Sequence, residues 1–339
     1  MTVQTAAPHY ALEQLSDGVY AAIASDGGAA ISNAGLVDLG DSTLLVDTFL
    51  TPTAAEDLRA DARRLTGRLP RWVVNTHYHN DHIWGNQVFV PEADLISTAR
   101  TRRLIQTAGQ AEYDDYRAIT ADRLKALLAQ QAAAKTDAQR AALDPLVGYF
   151  RGLAHDFPRL QVTLPNLVFE DRLVLHGSRR QVELIAFADA HTGSDTLVYL
   201  PAEGIVFMSD LLFVAFHPYV GDGNPSHWLE VLRAIGDGTA GTPNATCLVP
   251  GHGPTGTRAD LQRLAEYIQA CQQIARTLAA EGKTSPADIA ATAIPEAYAG
   301  WALPRFFYAN LSSLLVEYQQ AGQATKPAQP QPASKPVSP

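Results

Sequence analysis

The chain has 339 residues, of which 46% are hydrophobic and 18% charged, and 26 Lys and Arg stand against 35 Asp and Glu for a net charge of -9. This acidic balance argues against general nucleic-acid binding, because phosphate backbones would be repelled. No apolar run approaches the roughly 18 residues of a membrane span. Cys247 and Cys271 are too few for a disulfide framework, and no Lys or Arg precedes Arg59 to start a secretory signal. We therefore predict a cytoplasmic protein that binds neither nucleic acid nor membrane.

The first hundred residues alternate short strand-like segments with turns. Strands are predicted at 18–24, 36–39, 43–47 and 72–75, and an apolar stripe predicts a helix at 53–66. Strands and a helix that follow one another at this spacing indicate a layered α/β fold.

The pattern becomes helical between residues 101 and 157, after which short strands return. Strands are predicted at 160–168, 172–175, 182–187, 196–200 and 205–207, and helices through 261–271 and from Ser285. Residues 321–339 contain five Pro and almost no large apolar side chains, which predicts a disordered tail. The rest, residues 1–320, is interpreted as one domain.

The segment from Asn75 to His82, Asn-Thr-His-Tyr-His-Asn-Asp-His, carries the strongest chemical signal. Alternate residues of an extended chain point the same way, so His77 and His79 can bind one metal ion. Asp81 and His82 follow as the chain turns and can face a second position. Three imidazoles and a carboxylate within six residues would be costly to bury without a ligand. Nitrogen and carboxylate ligands suit zinc, iron or manganese.

Three further residues of ligand type stand beside strand-like runs. His191 precedes the strand at 196–200, Asp210 ends the run that starts at 205, and His252 follows Val-Pro-Gly. Each is weak alone, since a lone buried His is usually structural and a strand-end Asp is usually a turn residue or a cap. Together with the run at 77–82 they indicate a metal site.

These motifs, with Asp47 before them, resemble the metallo-β-lactamase superfamily of metal-dependent hydrolases in composition and in order. The resemblance covers roughly residues 10–260. It implies an αββα sandwich of two mixed β-sheets with outer helices, interrupted by a helical insertion at about 101–157. The metal ligands that it implies are His77, His79 and His191 for a first ion, Asp81, His82 and His252 for a second, and Asp210 as the bridge. Asp47 would steady a metal-site loop without binding metal itself.

The acidic residue at the bridging position, Asp210, is similar to the one in the glyoxalase-II-like and lactonase-like branches of the superfamily. It differs from the β-lactamases that use a Cys at the second metal. The implied activity is hydrolysis of a small-molecule ester, lactone, thioester or amide by a hydroxide shared between two divalent ions. Zinc is the first choice, with iron or manganese as alternatives. Asp81 would be the catalytic residue that orients the nucleophile or accepts a proton. A β-lactamase is one alternative, and a mononuclear iron sulfur dioxygenase using His77, His191 and Asp210 is another.

Several residues outside the ligand set are open to two interpretations. Trp84 lines the site entrance or packs in the core, and Asp195 supports His191 or merely begins the next strand. His217 and Tyr219 follow Asp210 and either contact substrate, as hydrogen-bond donors to an oxyanion, or only shape a turn. The helical stretch at 101–157 covers the active site, packs as an outer layer or forms a homodimer surface.

Overall fold

The computed structural model describes residues 2–3, 9–242 and 245–324, whose strands form two mixed sheets. The strands of the first sheet, in spatial order, are β1 (Thr2–Val3), β2 (Tyr10–Ser16), β3 (Val19–Ala24), β4 (Ala34–Asp38), β5 (Thr43–Val46), β6 (Trp72–Val74), β7 (Asp94–Thr98) and β8 (Leu167–Phe169). Neighbours from β1 to β5 pair antiparallel, and those from β5 to β8 pair parallel.

The second sheet has five strands in the order β13-β12-β11-β10-β9. Their bounds are β9 (Arg172–His176), β10 (Gln181–Ala188), β11 (Ser194–Leu200), β12 (Ile205–Phe213) and β13 (Cys247–His252). Only β12 and β13 pair parallel, and their register shifts between Phe207 and Ser209 and again between Ser209 and Phe213. Such an irregularity redirects side chains locally.

Ten α-helices lie in the described part of the chain. They are α1 (Pro52–Thr66), α2 (Asn80–Ile83), α3 (Ala99–Leu104), α4 (Gln110–Ala133), α5 (Asp137–Ala141), α6 (Asp144–Asp156), α7 (Pro225–Gly236), α8 (Arg258–Ala280), α9 (Pro286–Ala290) and α10 (Arg305–Ala324). A π-helical turn, Ile105–Gly109, joins α3 to α4. None of the helices described is both long and apolar enough to cross a membrane.

Three apolar layers hold the sheets and helices together. The middle layer lies between the sheets, where Val37 and Val46 of the first meet Val198 and Phe207 of the second. The approach is so close that a Cβ on Gly35 would lie 2.5 Å from Cε1 of Phe207. Helix α1 packs on the outer face of the first sheet, and α7, α8 and α10 pack on the outer face of the second. The predicted αββα sandwich is therefore confirmed.

The helical stretch predicted at 101–157 is helical, and its aromatic side chains pack into a separate apolar cluster beside the first sheet. The strand predicted at 160–168 is wrong for all but its last two residues. Hydrogen bonds to side chains take the place of strand pairing in this stretch. The backbone amide of Gln161 donates to the side chain of Gln87, and the side chain of Asn86 donates to the Thr163 carbonyl.

Helices α7 and α10 were not predicted. Helix α7 begins directly after Asn224, whose side chain caps it. The helix start lies within a Gly- and Pro-rich stretch, which is typical of a loop. Helix α10 extends to Ala324, so the first four residues of the predicted disordered tail are helical. The remainder of that tail, residues 325–339, lies outside the described residues.

Candidate metal centre

The ligand-type residues come together at one end of the two sheets. The first sheet supplies the loop after β6, with His77 and His79, and the short helix α2 that follows it. The second sheet supplies His191 from the loop before β11, Asp210 from within β12, and His252 at the end of β13. Asp210 can point into the site because β12 is irregular at Ser209, whose φ is 47°.

The first donor group consists of His77, His79, His191 and Asp210. Nδ1 of His79 lies 3.1 Å from Nε2 of His77 and 3.2 Å from Nε2 of His191. Oδ2 of Asp210 lies 3.3 Å from Nε2 of His191 and 3.8 Å from Nε2 of His77. One donor atom from each side chain therefore faces a common point, as a metal site requires.

The second donor group consists of Asp81, His82 and His252. Oδ2 of Asp81 lies 3.3 Å from Nε2 of His252 and 3.8 Å from Nε2 of His82. Oδ1 of Asp210 lies 3.2 Å from Nε2 of His82 and 3.6 Å from Nε2 of His252. The two oxygens of Asp210 thus face different groups, which is the geometry of a bridging carboxylate.

Two buried atoms of this cluster test whether it fits metal ions. Nε2 of His82 and Oδ1 of Asp210 are shielded from solvent and, although they lie 3.2 Å apart, neither makes a well-formed hydrogen bond within the described residues. Buried polar atoms are normally well satisfied, so this pair indicates a place for a ligand from outside the chain. Imidazole nitrogen and carboxylate oxygen are donors for zinc and other divalent transition metals. The two groups fit such ions.

The charges of the cluster favour cations. Burial alone would favour the neutral forms, but the carboxylates of Asp210, Asp81 and Asp47 outweigh it and hold the pKa of His82 well above its ordinary value. Burial opposes ionisation of Asp210 in the same way, and His82 and His252 overcome it, so the pKa of Asp210 lies well below its usual range. In the protein without metal, the protonated imidazole of His82 therefore balances the charge of carboxylates that metal ions would otherwise balance.

Asp47 fixes the orientation of His82 from outside the cluster. Its Oδ2 lies 2.8 Å from Nδ1 of His82, which leaves Nε2 to face the donor group. The same carboxylate accepts hydrogen bonds from the Thr76 amide, at 2.9 Å, and from the Ser209 hydroxyl, at 2.9 Å. Asp47 adopts a φ of 62°, an uncommon conformation for a residue other than glycine, which these contacts hold in place.

We expect Asp47→Asn to weaken metal binding and activity by about 10- to 100-fold, because the new amide NH₂ would oppose the donors that now converge on one carboxylate oxygen. Competition with a chromogenic chelator measures the metal affinity directly. Asp41→Asn, in the exposed turn after β4, is the matched control and should bind metal normally. Equal affinity in the two variants would contradict the role given to Asp47.

The comparisons with known proteins agree with this geometry. The family model described as the metallo-beta-lactamase superfamily matches residues 27–252, which include every residue of both donor groups. The chain belongs to the metallo-β-lactamase superfamily. A metallo-beta-lactamase from Pontibacter korlensis superimposes with a TM-score of 0.54 at 17% identity, covering 76% of this chain and 98% of its own. One from Erythrobacter litoralis, crystallised with beta mercaptoethanol in the active site, gives 0.54 at 18% identity and covers 80% and 100%. At these identities the structural likeness concerns the fold.

In this metallo-β-lactamase superfamily protein, a cavity of about 800 Å³ opens onto both donor groups. His79, Asp81, His191, Asp210 and His252 line its inner end. The helical insertion supplies one wall through α4 and α6, and the segment at the start of α10 supplies another. The insertion therefore covers one side of the site, in agreement with one of its three interpretations.

Of the three residues expected near substrate, only Tyr219 lines the cavity. Trp84 is fully buried, with its ring against Tyr113 and Phe157, so placing it at the entrance is wrong and its core interpretation is right. The physical reason is that residues two apart on a helix point about 200° apart, so α2 turns Trp84 away from the side of His82.

His217 is also misplaced as a substrate contact. It is fully buried, and its Nδ1 lies 2.9 Å from the hydroxyl of Tyr267 on α8. Its ring packs against Trp301 and Phe307, and burial lowers its pKa to about 4. The neutral side chain of His217 thus packs between α8 and α10 and contacts both. No local signal could show this, because its partners follow it by 50 residues or more.

Asp195 braces the loop that carries His191. Its carboxylate accepts hydrogen bonds from the amide of Thr192 and, at 2.7 Å, from the Thr192 hydroxyl. Asp195 is also the second residue of β11, so both interpretations of it hold together. Burial raises its pKa to about 7.

Sequence reasoning missed several residues that hold the ligands in position. Asp222 is the most important, because its Oδ2 lies 2.9 Å from Nε2 of His79 and orients that ring. Asn33 donates to the carbonyls of Pro250, at 2.9 Å, and Gly253, at 2.8 Å, and so fixes the end of β13. Asp222 stands between two glycines and Asn33 between Ser32 and Ala34, and neither sequence can be distinguished from an ordinary turn.

Proposed function

We propose that this protein is a dinuclear metal-dependent hydrolase that cleaves an ester, lactone, thioester or amide. The observation that carries the proposal is the position of Asp210, whose two carboxylate oxygens face two separate donor groups. A single ion would use one of these groups and leave the other buried without a partner. Two ions, with zinc as the first choice and iron or manganese as alternatives, would satisfy both.

The residues of the chain have distinct tasks in such a reaction. Bound divalent ions would supply a hydroxide near neutral pH and polarise the substrate carbonyl. Asp81 has a lowered pKa because the imidazoles of His82 and His252 outweigh its burial, so its carboxylate is ready to orient the nucleophile or to accept its proton. Tyr219 lines the cavity and can donate a hydrogen bond to the developing oxyanion.

The proposed substrate is a small molecule, because the cavity at the donor groups has a volume of about 800 Å³ and is walled by the helical insertion and the start of α10. Lactams belong to the amides to be tested, and β-lactamase activity is one form of the proposal. The absence of nucleic-acid and membrane partners, the cytoplasmic location and a homodimer remain predictions.

An iron-dependent sulfur dioxygenase is the alternative that uses one metal. It would need only His77, His191 and Asp210. The second donor group favours two ions over one, because Asp81, His82 and His252 bring their donor atoms together, although a one-metal enzyme could retain these residues without using them.

Metal content is the first measurement. Elemental mass spectrometry of the purified protein is expected to give about two zinc ions per chain, the number that the two donor groups can hold. His79→Ala should retain at most about one ion and lose more than about 100-fold in hydrolytic rate, since it removes a donor from the first group. His176→Ala, at the exposed end of β9, is the matched control and should keep both.

The outcomes separate the two functions. About two zinc ions together with hydrolysis of a lactone, thioester or β-lactam support the proposal. About one iron per chain, with oxygen consumption on a persulfide, would replace it by the dioxygenase. Full metal content in His79→Ala would refute the ligand assignment itself.

A further inference from the structure

Arg305 is a positively charged side chain in the wall of the cavity, and the proposed reaction gives it no task. Among the residues that line the cavity in the described part of the chain, it is the only Lys or Arg. It is the first residue of α10 and reaches solvent, while its guanidinium lies 4.8 Å from the ring centre of Phe306. No carboxylate among the described residues comes within salt-bridge distance of it. An arginine that faces a cavity without an acidic partner is available to a ligand.

The neighbours of Arg305 make this part of the wall a donor surface. The ionisable groups that act on it are the phenols of Tyr116 and Tyr149, from the helical insertion, and the guanidinium of Arg123. Burial raises the pKa of both tyrosines, so their hydroxyls stay protonated. Tyr149 accepts a hydrogen bond from Asn80 at 3.0 Å and shares a second hydrogen bond with Tyr116, so one of the two phenol protons is left to donate. The group therefore suits an anion with acceptor oxygens.

The charge of the remaining wall favours an anion with a single negative charge. Asp26 and Asp115 also line the cavity and would repel a dianion such as a phosphate monoester more strongly than a monoanion. A guanidinium matches a carboxylate in shape, since its planar fork can donate to both oxygens at once.

Apolar side chains lie at both ends of this cavity. Phe306 packs against Arg305, whereas Phe213 and Phe216 pack against the metal-ligand candidate His252, and all three line the cavity together with Leu146. An apolar segment of a ligand would bury its surface there.

We propose that Arg305 binds a carboxylate of the substrate, which is separated from the scissile carbonyl by an apolar chain or ring. The inference rests on the proposed hydrolysis and names its substrate class: monoesters, thioesters or lactam derivatives that carry a free carboxylate. Arg305 is thus a specificity residue, and it takes no part in the bond-breaking step.

The test compares matched pairs of activated esters. Nitrophenyl monoesters of dicarboxylic acids with four to eight carbons are paired with nitrophenyl esters of alkanoic acids of the same length. The metal-loaded protein is expected to favour the acid of the best-fitting pair by about 10- to 100-fold in kcat/KM. Arg305→Met should abolish that preference, so that kcat/KM for the acid falls to about that for the neutral ester of the same length. Arg305→Lys should restore part of it.

Arg63→Met is the control for net charge, because Arg63 is exposed on α1 and does not line the cavity. It should leave the preference intact. Equal rates on acid and neutral esters, or a preference that survives in Arg305→Met, would overturn the proposal. A larger gain with the matching phosphate monoesters would overturn the assignment to a carboxylate.

Failure of hydrolysis is a different result and leaves the carboxylate subsite testable. If neither series is cleaved, calorimetry compares monomethyl suberate with methyl octanoate as ligands of the same metal-loaded protein. Tighter binding of the acid in wild type but not in Arg305→Met would support the subsite and refute the hydrolase. Equal binding of the two ligands would refute the subsite.

Discussion

Asp210→Asn is expected to hold no more than about one metal ion per chain and to lose more than about 1000-fold in hydrolytic rate. The substitution keeps the shape of the side chain but replaces one carboxylate oxygen with an amide nitrogen that has no lone pair for a metal. Since Oδ1 and Oδ2 face different donor groups, only one group can then be completed. Elemental mass spectrometry and the rate on the best ester of the screen measure the two effects together.

The matched control for this change is Asp122→Asn on the exposed side of α4. It removes the same charge outside the cluster and should keep two ions and full rate. If Asp210→Asn also kept two ions, with a rate within about tenfold of wild type, the bridging role and the two-metal mechanism would both be wrong.

Gly251→Ala is expected to disturb the metal centre although Gly251 supplies no metal ligand. A Cβ at this position would overlap Oδ1 of Asp210 and approach the carbonyl carbon of Ser209 to 2.8 Å. Both atoms belong to β12, which pairs with β13. The overlap is therefore relieved only if the two strands move apart. We expect a loss of about 1–3 kcal/mol in the free energy of unfolding, a typical cost of overpacking, together with weaker metal binding. Chemical denaturation and chelator competition measure the two quantities.

Gly236→Ala provides the comparison for this variant. Gly236 ends α7, and a Cβ there would meet only Cδ1 of Leu261, at an ordinary 3.8 Å. Stability should therefore be unchanged or slightly raised. Normal metal affinity in Gly251→Ala would show that Asp210 has more freedom than its packing implies.

Four of the ligand residues could be predicted from sequence because their signal is local. His77, His79, Asp81 and His82 lie within six residues, and such a density of imidazole and carboxylate has little structural purpose. The alternation of strands and turns similarly indicated a layered α/β fold. Pairing partners did not have to be known for either inference.

The walls of the cavity could not be predicted because they depend on contacts far apart in the chain. Arg305 and Tyr116 meet across 189 positions, and Tyr267 buries His217 from 50 positions away. The prediction for Trp84 failed although the residue lies only two positions after His82 in the sequence. Its distance from His82 in sequence suggested the entrance, whereas the turn of α2 sends it into the core.

The division of ligands between the two sheets makes the metal centre a cross-link of the fold. The first half of the chain contributes His77, His79, Asp81 and His82, and the second half contributes His191, Asp210 and His252. Ions bound between them would join the two halves where the sheets meet, so the free energy of metal binding would add to the stability of the whole domain. Supply of metal would then govern how long the folded protein persists as well as how fast it works.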